Sequence, residues 1–361
     1  MKLTRKIMII IFTSLVFLSG CMNAKPKILD DINLATAVGF DYVDTEKFRA
    51  TWVAPTYMPD KTIVDESYTA ISTLSKEVRA KINQQSEKQV LSGKFEVALY
   101  SKKIAQKDIS KLIDTLQRDP SIGANVNLAV VDGTANELLT KQLGNSDKGI
   151  YLSNLFEQNI KHGLLPKTNL QLFLYAFYSE GRDPILPFIK ALDGKVDIKG
   201  IALFSKGKYV SHLKKEQVFA FNMMLNRKSN SESFAVKLEK KQYASLFNIT
   251  SKRKYEIQKP MANAPITIKL KVQAILREYS GGKADKAKIK EIEKAMEKDI
   301  EKEANRMIEK FQKLKIDPLG IGEQVRTRTR KWDMKKFEKQ YPTLPIRVKA
   351  KVKVIETGVI E

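Results

Sequence analysis

The sequence predicts a multi-domain α/β (α+β) protein built from mixed or antiparallel sheets, with helices packed mainly on one face. Three observations predict this class. The chain has 361 residues, of which 43% are hydrophobic, which is enough for two or three domains with their own cores. Its first half alternates strand-like and helix-like segments. Its second half contains two long alternating strands on either side of one amphipathic helix.

The first half contains a strand–helix–strand unit. Residues 95–100 and 126–131 are compact apolar segments, and residues 108–116 between them have helical spacing. A unit of this kind predicts a parallel pair of strands. The other elements predicted in this half are strands over 32–43 and 48–53, and helices over 67–90, 135–143 and 151–160.

The domain division follows from a break in regular structure. Residues 183–187, Asp-Pro-Ile-Leu-Pro, interrupt any helix or strand pattern and indicate a boundary region. We predict a lipoprotein signal peptide over 1–20, an N-terminal α/β domain over 21–195 and a C-terminal α/β domain over 196–361. A further division near residue 262 would split the last of these in two. The C-terminal domain is predicted to be antiparallel.

The second half is dominated by strands 266–276 and 346–354 and a helix over 284–314. Both strands alternate apolar with polar residues, so each buries one face. The apolar stripe of the helix is a core face by its spacing. Its acidic residues are interleaved with lysine, which predicts a solvated face held by pairs three residues apart, Lys290–Glu293, Lys294–Glu297 and Lys298–Glu301.

The two alternating strands each present a row of basic side chains. If the strands were neighbours, the rows would repel each other. Either acidic side chains from a third strand lie between them, or this surface binds an anionic partner. Trp332, flanked by basic residues, either lies at such an interface or packs across a sheet edge and fixes the entry to the last strand. The candidate contacts for a partner or a membrane are Lys269, Lys271, Arg347, Lys349, Lys351, Lys353 and Trp332.

The first twenty-one residues predict export and lipid attachment. Lys2, Arg5 and Lys6 precede an apolar run over residues 7–18 that is too short to span a bilayer comfortably. The run closes on Leu-Ser-Gly-Cys, a bacterial lipobox, so we expect a diacylglyceryl group on Cys21, with an N-acyl chain as an option. Cys21 is the only cysteine, which leaves no disulfide to weigh. An uncleaved signal anchor and ordinary secretion are the alternatives.

The formal net charge of +23 predicts an anionic partner surface. Removing the signal takes away three basic residues and leaves +20, so an anchored chain would lie close to phospholipid headgroups or anionic wall polymers. Nucleic acid is the usual partner of a basic chain, but export argues against it. The alternative is that lysine simply populates solvated faces, because much of the charge is dispersed.

The residues indicate no enzyme, no metal site and no cofactor other than the lipid on Cys21. His162 and His212 stand fifty residues apart, each without a neighbouring cluster of ligand-type residues. No nucleophile-elbow, zinc-protease, Walker or dinucleotide motif occurs. Asp183 and Asp317 each precede proline, where they are expected to set turns rather than to transfer protons. A site built only from carboxylates stays open.

Several short motifs occur in a specific order along the chain. They are the lipobox at Cys21, then residues 34–41, 183–187, 200–204 and 317–322, then Trp332 and a closing strand that ends near Gly358. In their order and spacing they resemble the Ger(x)C lipoproteins, the C subunits of nutrient germinant receptors in endospore-forming bacteria, and the resemblance covers the whole chain. In this family tryptophan usually follows the lipidated cysteine, whereas Met22 stands there in this chain.

The resemblance implies a non-enzymatic receptor component on the outer face of the spore inner membrane. Its implied partners are an integral A subunit and a transporter-like B subunit, and its implied fold has three α/β domains around antiparallel or mixed sheets. The alternative is a solute-binding or cell-wall-associated lipoprotein unrelated to germination. Solute-binding proteins typically have two doubly wound lobes, and the lysine-rich second half argues against that layout.

Overall fold

A computed structural model of the chain describes residues 31–143, 146–258 and 264–357. The predicted signal peptide and Cys21 lie outside the described residues. Within them, the strands form sheets of two, eight and four strands. The predicted fold class, a multi-domain α+β protein with mixed sheets, is confirmed.

The strands of the first part of the chain form the two-stranded and eight-stranded sheets. They are β1 (Ile32–Leu34), β2 (Ala37–Tyr42), β3 (Phe48–Tyr57), β4 (Ile63–Ser72), β5 (Gln89–Leu91), β6 (Val97–Ser101), β7 (Asn127–Val131), β8 (Ile185–Leu192), β9 (Lys195–Ser205) and β10 (Lys208–Lys214). β1 pairs with β5, and the large sheet has the order β10-β9-β8-β7-β6-β2-β3-β4. The strands β2, β6, β7 and β8 run parallel, and an antiparallel hairpin extends each side.

Helices cover both faces of the eight-stranded sheet. They are α1 (Ser75–Asn83), α2 (Lys102–Ala105), α3 (Ser110–Arg118), α4 (Ala135–Thr140), α5 (Lys148–Lys161) and α6 (Leu170–Tyr178). Side chains of α4 and α5 pack on one face, and those of α1, α3 and α6 on the other. The one-sided packing that we expected does not apply to this sheet, because its parallel central strands are apolar on both faces.

Two predicted elements of this part are wrong. The helix over 67–90 is instead the end of β4, then α1, then β5, and the apolar side chains of Ile71 and Leu74 within this range are exposed. Residues 183–187 are not a break, because β8 begins at Ile185 and includes Pro187. Pro187 is tolerated there because the pairing with β7 starts only at Phe188, so no ladder bond needs the missing N–H.

The four-stranded sheet has the order β11-β12-β13-β14. Its strands are β11 (Lys228–Lys237), β12 (Tyr243–Ile257), β13 (Ile266–Tyr279) and β14 (Ile346–Thr357). Its helices are α7 (Val218–Leu225), α8 (Lys286–Leu314), α9 (Ile321–Arg326) and α10 (Met334–Gln340), with short 3₁₀ turns at Lys215–Gln217, Glu239–Lys241 and Tyr341–Thr343. The apolar stripe of α8 packs on one face of this sheet, and the other face carries no helix among the described residues.

The last pairing of this sheet corrects the antiparallel arrangement predicted for the C-terminal domain. β13 pairs with β14 in parallel, whereas the other two pairings are antiparallel. The reason is the helical crossover. α8 carries the chain back along the sheet, so β14 starts from the same end as β13.

The domain division stays a prediction, and the sheets change over at other positions than its boundaries. The position 195/196 falls at the start of β9, and β9 and β10 complete the eight-stranded sheet rather than joining the second one. The position near 262 lies outside the described residues. β12 and β13, which precede and follow it, pair with each other along most of their length.

Candidate functional site: a basic sheet face and an Asp-Pro junction

The open face of the four-stranded sheet is strongly basic. Every alternate residue along the middle of its strands is exposed, and most of these residues are lysine. The structure brings six of the predicted contact residues together and adds three that the sequence analysis missed. These nine residues, which we call the basic face, are Lys228, Lys252, Lys254, Lys269, Lys271, Arg347, Lys349, Lys351 and Lys353.

The strand registers place lysines directly opposite one another. One row crosses all four strands and consists of Lys228, Lys252, Lys271 and Lys351. The next row consists of Lys254, Lys269 and Lys349. Neighbouring strands lie about 5 Å apart, and like charges directly opposite each other are destabilising. These rows therefore cost stability in the isolated chain, which makes the basic face the strongest candidate for contact with an anionic partner.

Acidic side chains neutralise only a small part of this surface. Glu256 of β12 binds Lys269 (Oε1 to Nζ, 2.8 Å), and Glu297 of α8 lies 3.4 Å from the Nζ of Lys351. The hydrogen bond from Lys269, with further charge from Lys254, lowers the pKa of Glu256. The other seven residues of the basic face form no ion pair with any side chain in the described ranges. An acidic third strand therefore accounts for little of the charge.

The missed lysines lie on β11 and β12. β12 is one strand with an irregular pairing near Asn248, whose φ is +48°. The bulge shifts the alternation along β12, so that residues 250, 252 and 254 are the exposed ones beyond it. This shifted alternation is the signal in the sequence that could have identified Lys252 and Lys254.

The free edge of β14 is bound by a ladder of side chains from α8. The carboxylates of Glu301, Glu297 and Glu293 accept hydrogen bonds from the backbone N–H groups of Ala350, Val352 and Val354, with N···O distances of 2.8, 2.9 and 2.8 Å. Asn305 accepts the bond from Val348 at 3.1 Å. Four residues of an α-helix rise about 6.0 Å and two residues of a strand about 6.6 Å. Every fourth residue of α8 therefore lies opposite every second residue of β14 over this length. We call these four side chains the edge ladder.

The edge ladder corrects the prediction of a solvated acidic face on α8. The glutamates do not form the predicted pairs with lysines three residues earlier; they satisfy N–H groups that an edge strand would otherwise leave open. An open edge is a template for pairing with another chain, so the ladder protects this side of the sheet. It also fixes the strand that carries Arg347, Lys349, Lys351 and Lys353.

The two Asp-Pro motifs meet at a second site. The N–H of Asp183 donates to the carbonyl of Asp317 (2.9 Å), and the N–H of Asp317 donates to Oδ2 of Asp183 (2.8 Å). Oδ1 of Asp183 also accepts the N–H of Lys206 at 3.0 Å. The segment before β8 and the segment after α8 are thereby joined across 134 residues of sequence. We call this contact the Asp-Pro junction.

Close backbone contact at the Asp-Pro junction explains its glycines. A Cβ on Gly181 would lie 2.6 Å from the carbonyl carbon of Gly322, and one on Gly322 would lie 2.7 Å from the Cα of Gly181. Gly181 also has a φ of +76°, which favours glycine. Beside this contact, Arg182 binds Glu323 at 2.9 Å. Substitution of either glycine would separate the two segments.

Trp332 lies at the Asp-Pro junction and not on the basic face. Its Nε1–H donates to Glu180 at 2.6 Å, and its ring packs on Phe337 with centroids 5.4 Å apart. The side chain is half-buried against the core. The structure therefore places it as a packing residue beside the connection into β14, and its role in partner contact stays a prediction.

Burial shapes the protonation of the two aspartates. Burial raises the pKa of Asp317 to about 7, helped by the charge of Asp183 and opposed by the N–H groups of Gly322 and Ile321. Burial also raises the pKa of Asp183, although the N–H groups of Asp317 and Lys206 oppose it. Among the described residues, no group of three or more histidine, cysteine or acidic side chains is placed to hold a metal ion.

The histidines have structural surroundings. His212 stacks on Phe188 at 4.7 Å between ring centroids, and its Nδ1 lies 3.0 Å from the hydroxyl of Tyr209. Burial lowers the pKa of His212, with help from the charge of Lys310. His162 follows the last turn of α5, where its Nε2 contacts the side chain of Gln158.

This chain belongs to the Ger(x)C family of spore germination proteins. Residues 25–191 match the family model described as the spore germination protein N-terminal domain, and residues 199–358 match the model described as spore germination B3/GerAC like, C-terminal. The matches cover both halves of the chain. Asp183 lies within the first match and Asp317 within the second.

Individual relatives agree with this family. The spore germination protein GerQC of Bacillus cereus is 33% identical over 354 residues, which cover 96% of this chain and 97% of that protein. YfkR of Bacillus subtilis (strain 168) is 25% identical and covers 81% of this chain. The crystal structure of the GerBC protein has the same fold, with a TM-score of 0.54 over 88% of this chain and 96% of that one, at 15% identity. No helix in the described ranges is both long and apolar enough to cross a membrane.

Proposed function

We propose that this chain is the lipid-anchored C subunit of a nutrient germinant receptor. In this proposal it is attached through Cys21 to the outer face of the spore inner membrane, beside the A and B subunits, and it performs no chemistry of its own. Membership of the Ger(x)C family and the similarity to GerQC support the receptor role. The lipobox supports the anchor.

The observation that carries the proposal is the basic face. Seven of its nine cations have no acidic partner among the described side chains, and the strand registers hold them in rows. A rigid array of this kind suits an anionic surface, either headgroups or an acidic face of a partner subunit. The solute-binding alternative gains no support, because the two large sheets do not form two doubly wound lobes.

Germination of spores that lack this gene tests the receptor role. We expect dipicolinic acid release in response to one class of nutrient to be lost, and to be restored by the wild-type chain but not by Cys21→Ala. The panel should contain amino acids, sugars and salts. Full release with every nutrient, in a strain whose other receptors have also been removed, would contradict the proposal. Equal rescue by Cys21→Ala would contradict the need for the anchor alone.

Charge reversal on the basic face tests its contact role. Lys271→Glu with Lys349→Glu removes no ion pair, so the fold should be unaffected. Each basic residue near an anionic surface contributes about 1 kcal/mol, so the double variant should bind anionic vesicles or its partners at least about ten-fold more weakly. Lys294→Glu with Lys298→Glu, on the exposed side of α8, is the control with the same change in charge. Equal loss in both variants would assign the effect to net charge.

A further inference from the structure

The β3–β4 hairpin extends beyond the eight-stranded sheet as a finger. Pairing between β2 and β3 ends at Val53, yet β3 and β4 pair with each other from Ala54 to the end of β3 at Tyr57. Beyond this paired stem, residues 58–62 form the loop. Ala54 and Pro55 of this stem are buried, and Asp65, opposite Pro55, pairs with Lys148 of α5. Only the part from Thr56 to the loop therefore stands clear of the rest of the fold, which is about 7 Å of paired strand.

The tip of the finger is apolar and exposed. Tyr57, Met58 and Val64 are 58%, 43% and 50% exposed, and the registers bring Tyr57 opposite Ile63 and Val64 opposite Thr56. Tyr57 and Val64 belong to successive cross-strand pairs and so lie on opposite faces of the hairpin, with Met58 in the loop between the strands. Exposed apolar side chains on both sides of a hairpin end indicate a surface that a membrane or another molecule covers.

Part of the backbone of the tip is bonded within the loop. The N–H of Met58 donates to the carbonyl of Thr62, and the N–H of Lys61 donates to the carbonyl of Met58, both at 2.9 Å. Asp60 accepts the N–H of Thr62 at 3.0 Å and its hydroxyl at 2.6 Å. Three N–H groups of the tip therefore need no water, which lowers the cost of placing it in a less polar environment.

The chain enters the fold beside this finger. β1 contacts β3, and the N–H of Thr36 donates to the carbonyl of Val53. When the chain is followed backward from Thr36, residues 34 to 32 therefore lead in the same direction as β3 does toward Tyr57. Only nine residues separate Cys21 from Asp31. At 3.3–3.6 Å per residue they reach at most about 35 Å, so an acyl group on Cys21 would hold this end of the sheet close to the bilayer.

We infer that the tip of the β3–β4 finger inserts into the membrane interface next to the lipid anchor, with Tyr57, Met58 and Val64 at the boundary between headgroups and acyl chains. The inference rests on the proposed anchoring at Cys21. Asp60 and Lys61 are charged and stay at the headgroup level, so the insertion is shallow. Tyrosine favours this depth because its ring is apolar and its hydroxyl is polar.

A single thiol label tests the inference in the full, lipidated chain. Lipidation blocks Cys21, the only cysteine, so Met58→Cys provides the one thiol for an environment-sensitive fluorophore. On reconstitution into vesicles of phosphatidylglycerol and phosphatidylethanolamine, we expect emission to rise several-fold and to be quenched by lipids that are brominated near the headgroup. Leu74→Cys is the matched control, because Leu74 is 59% exposed just beyond the opposite end of β4. Its label should not respond.

The outcomes separate the finger from the anchor. A chain that floats with vesicles but gives no response at position 58 overturns the inference and leaves the anchor intact. A lipid-independent response that grows with protein concentration assigns the tip to a second copy of the chain and overturns the membrane contact. A chain that does not float with vesicles overturns both the anchor and the finger insertion. Loss of the quenching at position 58 on adding Tyr57→Ser and Val64→Ser would support the contact.

Discussion

Asp317→Asn is expected to raise the free energy of unfolding by about 2–4 kcal/mol at pH 8, relative to the wild-type chain. Asp317 is 5% exposed, and burial raises its pKa to about 7. The folded state therefore favours the protonated carboxyl, and the stability that this preference contributes is fully present below about pH 4. It is lost as the pH rises through about 7, because the buried carboxylate must then carry a charge. Asparagine has no charge at any of these values.

The substitution keeps the shape and one acceptor of the aspartate. The side-chain oxygen of asparagine can still accept the N–H of Gly322, which Oδ2 of Asp317 accepts at 2.7 Å. Urea unfolding of both chains at pH 5 and pH 8 measures the effect, and Asp193→Asn on the exposed β8–β9 turn is the control. A stabilisation of the same size at both pH values would mean that ionisation is not its cause.

The Asp-Pro junction shows what the sequence could and could not predict. Proline after aspartate indicates that Asp183 and Asp317 shape local backbone, and both carboxylates do accept backbone N–H groups. No periodicity links residues 134 apart, so their mutual hydrogen bonds could not be read from either motif alone. The glycines carried a usable signal, because Gly181 precedes one motif and Gly320 and Gly322 belong to the other. Glycine at such positions indicates close backbone approach.

The basic face was predicted in part, for a physical reason. Alternation along residues 266–276 and 346–354 depends only on which face of a strand is buried, so Lys269 and Lys349 were assigned correctly to exposed positions. That the two strands are parallel neighbours depends on the crossover through α8, which local pattern does not encode. Lys252 and Lys254 were missed because a bulge shifts the alternation within β12.

The glutamates of α8 were misread because spacing alone cannot distinguish a solvated face from one that faces a strand edge. Every fourth residue from 293 to 301 is glutamate, followed by Asn305, and this series fits a helix lying along an edge strand as well as it fits an exposed ion-paired surface. The deciding fact is the position of β14, which only the tertiary structure supplies.

We expect Glu297→Ala with Glu301→Ala to lower the free energy of unfolding by about 3–6 kcal/mol, since each removes a hydrogen bond to a charged acceptor worth about 1.5–3 kcal/mol. The N–H groups of Val352 and Ala350 would lose their partners at the sheet edge. Glutamine at both positions keeps an oxygen acceptor and should cost about half as much. Asp299→Ala with Glu309→Ala is the control, because both side chains are exposed on the same helix.

The edge ladder also links stability to the proposed contact surface, and hydrogen exchange can separate the two. If the ladder holds β14 in register, its loss should speed exchange at Ala350 and Val352 while β12 stays protected. The basic residues of β14 would then lose their fixed spacing while each keeps its own charge, and Lys351 would also lose its ion pair with Glu297. Spores carrying Glu297→Ala with Glu301→Ala should therefore show the same germination defect as the Lys271→Glu, Lys349→Glu variant. Normal germination with a frayed β14 would mean that charge alone, and not the ordered rows, makes the contact.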